Sequence, residues 1–168
     1  FLRFLEERDV ESFLAVRAAV VSSPEYDPYS SEMDEINSLL AAGDFDAARR
    51  KLNEAMPNLL LSPSAHLAIA YVAEESDDEN AAKMETFLAV ACCEGILSTG
   101  DGSRAKPYLV VRTSDEYDVL QFLGKSFTGQ SLVEDGDRHL DCMSCADGTE
   151  VWFDITDAYN QLAKRFPS

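Results

Sequence analysis

The chain has 168 residues, 46 % hydrophobic and 10 % aromatic, enough for one domain or two small ones sharing an interface, and too apolar for disorder over most of its length. Its formal net charge is −17, which disfavours phosphate backbones and anionic membranes as partners. No apolar run approaches the roughly 20 residues that a membrane helix requires, so no membrane insertion is expected.

The first residues, Phe1-Leu2-Arg3-Phe4-Leu5-Glu6-Glu7, meet acid too early for a signal peptide. Phe1 in place of Met leaves room for a trimmed leader or tag, so a cytoplasmic and an exported location both stay open. Asp9 caps a predicted helix to about Ser22, with Val10, Phe13, Leu14, Ala18 and Val21 recurring at helical spacing. The loop Glu25-Tyr26-Asp27-Pro28-Tyr29 follows, its two Tyr rings placed to cover helix ends. Ser30 or Ser31 opens a second helix through Ile36, Leu39 and Leu40, which Gly43 stops in the left-handed conformation. A third runs from its cap Asp44 to about Met56, where Pro57 closes it. Ser62 caps a fourth that begins at Pro63, and a fifth runs from about Asp78 to Leu97.

Gly43, Phe45, Ala48, Leu52 and Ala55 match the spacing of a tetratricopeptide hairpin. Residues 63–97 fit the same outline less well. Stacks of this kind need three repeats to bury a continuous core, so the first helix and the C-terminal part are expected to cap the two present here. The acids concentrate in this region: residues 1–95 hold 7 Lys/Arg against 19 Asp/Glu, and residues 96–168 hold 7 against 12. The charge reads first as a soluble, association-resistant surface; a basic peptide or protein partner is the sharper reading.

After Ser98-Thr99-Gly100-Asp101-Gly102 the period changes to that of strands. Tyr108 to Arg112 is a predicted strand, Ser114-Asp115-Glu116 opens a short helix that Gly124 stops, and Gln130 to Val133 is a second strand. Residues 134–137 form a hairpin turn, His139 to Cys145 a third strand, Asp147-Gly148 a tight turn and Glu150 to Ile155 a fourth strand. Thr156 or Asp157 caps a last helix to Phe166. The expected fold is α+β: tetratricopeptide-like helical hairpins over residues 1–99, packed on a small, mostly antiparallel sheet with two short helices over residues 100–168, docked as one unit.

Ile96-Leu97-Ser98-Thr99-Gly100-Asp101-Gly102, Thr113-Ser114-Asp115-Glu116-Tyr117-Asp118-Val119-Leu120, Gln130-Ser131-Leu132 and Val151-Trp152-Phe153-Asp154 together resemble a bacterial family of domains of unknown function. In that family a helical hairpin region leads into a small α/β part, and the Ser-Asp-Glu-Tyr segment carries most of the likeness. The resemblance implies a bacterial source and often export. It implies no activity, substrate or cofactor.

Catalytic motifs are scarce. Cys142 and Cys145 have redox or zinc spacing, but on a strand residues three apart face opposite ways, so packing is the expected role. Cys92-Cys93 sits in an apolar helical run, as buried free thiols do, and leans toward a reducing compartment. His66 and His139 are the only histidines, and neither lies in a nucleophile elbow or a zinc-hydrolase motif. His139, Arg138 and Asp141 read as a solvated or edge position. Trp152 and Asp154 share the face opposite Val151, Phe153 and Ile155, which places Trp152 at the junction of the halves or exposed for binding.

If a ligand site exists, Asp115, Glu116 and Tyr117, which follow a strand end, form it with Asp101 and Gln130. Helix-start roles for Asp115 and Glu116 are the competing account. The expected function is a non-enzymatic module that holds a protein or peptide partner, with neither cofactor nor metal. The alternative is an enzyme whose carboxylates meet at the junction of the halves; raised carboxyl pKa values in a cleft would favour it, and carboxylates occupied with helix capping would oppose it.

Overall fold

Helices begin where a side chain can satisfy the first free N–H groups. In the computed structural model, which describes residues 1–165, the caps fall at the expected positions. Asp9 Oδ1 accepts from Ser12 N at 2.8 Å, Asp44 from Ala47 N at 3.0 Å, Ser62 Oγ from Ala65 N at 3.4 Å and Asp78 from Ala81 N at 3.0 Å. They start α2 (Val10–Val21), α4 (Phe45–Leu59), α5 (Pro63–Glu74) and α6 (Glu79–Ser98). Between them α3 (Glu32–Ala41) ends at Gly43, whose φ of 73° is the left-handed conformation that lets the chain reverse into α4.

Two elements depart from the sequence expectation in this half. No periodicity announces α1 (Leu2–Glu7); it is held by Phe4, which packs on Phe13 with ring centroids 5.4 Å apart. And α4 runs through Pro57 to Leu59. Pro57 lies in the last turn, so few intrahelical bonds follow it. Burial of Asn58 and Leu59 holds the chain helical there: Asn58 Oδ1 accepts from Asp27 N at 2.9 Å while its amide donates to Asp27 O and Glu32 Oε2 at 3.0 and 2.8 Å.

The C-terminal part holds β1 (Tyr108–Leu109), α7 (Ser114–Phe122), β2 (Phe127–Asp135), β3 (Arg138–Cys145), β4 (Glu150–Asp154) and α8 (Thr156–Arg165). Phe166, expected to end the last helix, lies outside the described residues. The sheet order is β1-β4-β3-β2, with β1 parallel to β4 and the other pairs antiparallel. The molecule is thus α+β, with a mixed, mostly antiparallel sheet.

β1 is two residues long rather than five for a reason visible in its neighbours. The backbone beyond Leu109 is already engaged: Val110 O accepts from Arg17 Nη2 at 2.9 Å, Val111 O from the Tyr26 hydroxyl at 2.7 Å, and the N–H groups of Val111 and Arg112 donate to Asp115 Oδ2 at 3.3 and 2.9 Å. Groups taken by helices and side chains cannot extend a ladder.

Two hydrophobic clusters form the core. One joins α3, α4 and α5 through Ile36, Leu52, Ala55, Leu59, Ala65 and Val72. The other crosses the boundary near residue 99, joining Phe4, Phe13, Val20, Tyr26 and Ile96 to Met143, Cys145, Val151, Phe153 and Ile155. The face of the sheet turned to the helices is therefore that of Val151 and Phe153. Trp152 lies on the opposite face, half-buried, with the Arg104 guanidinium 5.6 Å from its ring centroid. The expected junction position for Trp152 gives way to this one, because its strand neighbours supply the apolar side. Cys142 shares that outer face, in register with Trp152, while Cys145 points into the core; all four cysteines are free and buried.

Candidate functional site

The start of α7 and the middle of β3 bring acids together below the loop between α2 and α3. The N-cap of α7 is Thr113, without a side-chain cap bond, so Asp115 and Glu116 are in the first turn but do not cap it. Asp115 is fully buried and its Oδ2 takes the Val111 and Arg112 N–H groups. Oδ1 has no hydrogen-bond partner among the described residues. Burial, and then the neighbouring Asp118 charge, pushes the Asp115 carboxyl up to about 7.

Glu116 is fully buried as well, and no N–H or hydroxyl among the described residues donates to either of its oxygens. Its neighbour is Asp141, 3 % exposed. Two carboxylates cannot share a closed site with both charges, so one proton stays between them. Glu116 keeps it: burial first, then the Asp141 charge, pushes Glu116 up to about 9. Asp141 is also raised by burial, against the Gln130 amide and the Glu116 hydroxyl, which stabilise its charge. Gln130 Nε2 donates to Asp141 Oδ2 at 2.5 Å, and the Tyr117 hydroxyl donates to Gln130 Oε1 at 3.2 Å. On the loop side burial first, and then the Asp141 and Glu116 carboxyl groups, raise the pKa of Tyr29. His139, on the same face of β3, stacks on Tyr159 with centroids 3.7 Å apart.

Arg112 is the cation of the cluster. Buried to 3 % exposure, it donates to Asp27 O at 2.9 Å and Ser30 Oγ at 3.0 Å, and so ties the α2–α3 loop to the start of α7. Asp118, one turn on, accepts from Ser64 N at 3.1 Å and from the Ser64 hydroxyl, which fastens α7 to the first turn of α5. Burial raises Asp118.

Of the five residues expected to form a site, Asp115, Glu116, Tyr117 and Gln130 come together. Asp101 does not. It sits in the loop before β1, where its Oδ1 accepts from Ser103 N at 3.0 Å and the Ser103 hydroxyl and N–H hold its pKa low. That loop flanks one edge of the sheet and Gln130 lies on the other. Asp141, read from sequence as an edge position, is instead at the centre. Its alternation was the available signal: it is in phase with Met143 and Cys145, and a carboxylate in the inward phase of an apolar strand needs a partner.

His66 is also internal. Its Nδ1 lies 2.7 Å from Glu85 Oε2 and its Nε2 3.1 Å from Leu60 O, so both ring nitrogens are satisfied by the helical half. Among the described residues no three His, Cys, Asp or Glu side chains group to hold a metal ion. Nor is any described helix long and apolar enough to cross a membrane.

Two concavities lie near these elements. A crevice of about 430 Å³ between α4, α5 and α6 is lined by Arg49, Asn53, Ile69, Ser76 and Asp78. Three of its polar side chains are engaged: Arg49 Nη2 donates to Ser76 Oγ at 2.6 Å, and Asp78 caps α6. A groove of about 280 Å³ between α5, α6 and α7 is lined by Pro63, Leu67, Ala89, Val90 and Phe122. Leu67 is 48 % and Phe122 44 % exposed at its rim. Comparison with family models, curated proteins and solved structures finds no match to this chain.

Proposed function

We propose that the protein is a non-catalytic interaction module that holds a protein or peptide partner at the junction of its helical and sheet halves. The groove between α5, α6 and α7 carries this reading. Large apolar side chains stand open around an apolar concavity, a surface that gains free energy when a partner displaces its water. The net charge of −17 makes a basic partner the complementary one and argues against nucleic acid. The tetratricopeptide likeness around Gly43 and the resemblance to the bacterial family belong to the same reading: they supply a scaffold and bring no activity.

The rival reading, an enzyme with carboxylates at Asp115 and Glu116, has the shared proton in its favour. Against it stands closure. Asp115 and Glu116 are 0 % exposed and Asp141 3 %, so a substrate atom reaches them only after Gln130 and its neighbours move. An acid that must transfer a proton has to be within hydrogen-bond reach of the reacting group.

Selection from a random peptide library tests the proposal. Peptides retained by the wild-type protein should be apolar and basic, and should lose binding to Leu67→Glu, whose charge would be desolvated in the groove. A wild-type protein that retains no peptide, or one whose peptides bind Leu67→Glu equally, overturns it.

A further inference from the structure

The sheet has two edges, and they are finished differently. At one edge β1 is two residues long, and its Leu109 N–H is capped by Thr99 Oγ1 at 2.8 Å. At the other, β2 runs for nine residues and, among the described residues, pairs only with β3. Edge strands are normally kept from pairing by shortness, by Lys or Pro, by bulges or by a covering element. From Phe127 to Asp135 there is neither Lys nor Pro, and the one irregularity in pairing falls between Phe127 and Gly129.

The hairpin sets which backbone groups are free. Asp135 pairs with Arg138 across the two residues Gly136 and Asp137. Gly136 has φ 65°, as the first central residue of a type II′ turn requires. The pair closing a two-residue hairpin is hydrogen-bonded, and such pairs alternate along an antiparallel ladder. Val133 and Ser131 therefore face β3, whereas the N–H and C=O groups of Gln130, Leu132 and Glu134 point outward. Among the described residues no loop or turn hydrogen bond takes any of these groups. The side chains beside this row are apolar and open. Leu132 is 49 %, Phe127 42 % and Tyr117 44 % exposed, and the Tyr117 ring stands edge-on to Phe127 with centroids 5.2 Å apart.

We propose that β2 is a docking edge to which an extended, positively charged peptide segment of the partner adds as a fifth strand. This rests on the interaction reading above and specifies its mode and partner chemistry. Backbone bonds to Gln130, Leu132 and Glu134 supply affinity without sequence preference, and side chains at alternate positions of the incoming strand meet Leu132 and Tyr117. Charge selects the occupant. Residues 127–137 contain Glu134, Asp135 and Asp137 and no Lys or Arg. Asp135 is engaged by Arg138 at 2.6 Å and Arg104 at 3.8 Å; among the described residues no ion pair reaches Glu134 or Asp137. A second copy of the chain would bring the same acids and a further charge of −17, whereas a cationic segment is attracted along the edge.

The test follows backbone amide signals of the isotope-labelled chain during addition of a short synthetic peptide alternating Val with Lys. The amides of Gln130, Leu132 and Glu134 should shift and exchange more slowly with solvent. The same peptide N-methylated at alternate residues keeps charge and side chains but loses its bonding edge, and should bind roughly tenfold more weakly or worse. Leu132→Pro removes one outward N–H at a site where an edge strand tolerates proline and should abolish the slowed exchange. Glu134→Lys leaves the backbone intact and should weaken binding by roughly tenfold at low salt. Equal binding of the N-methylated peptide, or no binding of either, overturns strand addition. Shifts confined to Leu67 and Phe122 also overturn it while leaving the interaction reading standing. Slowed exchange at β2 that grows with protein concentration without peptide replaces the partner with a second copy.

Discussion

The hairpin core and the acid cluster beneath the α2–α3 loop are held together by different physics. In the first, Ile36, Ala48, Leu52, Ala55 and Leu59 are buried apolar residues, and α4, which carries four of them, is capped by Asp44 three positions from the N–H it accepts. In the second, Asp115, Glu116 and Asp141 are buried with the Arg112 guanidinium and flanked by the half-buried Asp118, and the bonds there reach across the chain: Tyr26 to Val111, Arg112 to Asp27, Ser64 to Asp118. Apolar burial is indifferent to pH. A closed carboxyl cluster is not, because the folded chain holds protons that the unfolded chain releases at lower pH.

Leu52→Ala should have the largest effect, and it falls on the apolar side. Leu52 is 1 % exposed, and truncation should destabilise by about 2–5 kcal/mol. Urea unfolding at pH 5 and pH 8 should return the same loss, since no titrating group is touched.

Glu116→Gln sharpens the other side. The folded state lifts Glu116 from an ordinary 4.5 to about 9. Below the unfolded value both states are protonated and the stabilising proton costs nothing. As pH rises toward 9 the unfolded chain releases a proton that the folded chain must keep, so stability falls over that window. Gln keeps the donor to Asp141 without the proton. It should stabilise by about 1–3 kcal/mol at pH 8, with little effect near pH 4. A variant whose pH profile matches the wild type would remove the shared proton.

Gly43→Ala comes next. The added Cβ meets nothing within 4 Å, so the loss of about 1 kcal/mol is backbone strain alone and should not depend on pH. An unchanged melting temperature would count against the left-handed turn.

Smallest is the response to oxidation. Cys142 and Cys145 lie on opposite faces of β3 and both are buried. Mild oxidant should leave the native protein without a disulfide and its unfolding midpoint unchanged; an internal disulfide seen by mass spectrometry would contradict the register.

What could be read in the sequence was local. Asp9, Asp44, Ser62 and Asp78 each bond within three residues, and Gly43 is needed by the turn it makes, so caps and helices follow from neighbours along the chain. Pro57 misled because burial of Asn58 and Leu59 outweighs the loss of one helical bond. β1 is shorter than its Val-rich run suggests because Arg17, Tyr26 and Asp115, none paired with it in sequence, occupy its backbone. In the candidate site Asp115, Glu116 and Tyr117 stand out by position after a strand end, and Gln130 joins them as a candidate. Asp101, from the stretch between the long helix and the first strand, joins the same set and falls at the opposite edge of the sheet.

The α+β class, the helix caps, the hairpin turns and the acidic surface are legible along the chain, since each depends on composition or on residues a few positions apart. Long-range packing settles that Glu116 faces Asp141, that Trp152 lies away from the junction, and that β2 is an open edge of the sheet among the described residues. Those depend on strand order and on which elements cover a given face, and packing between segments far apart along the chain sets both.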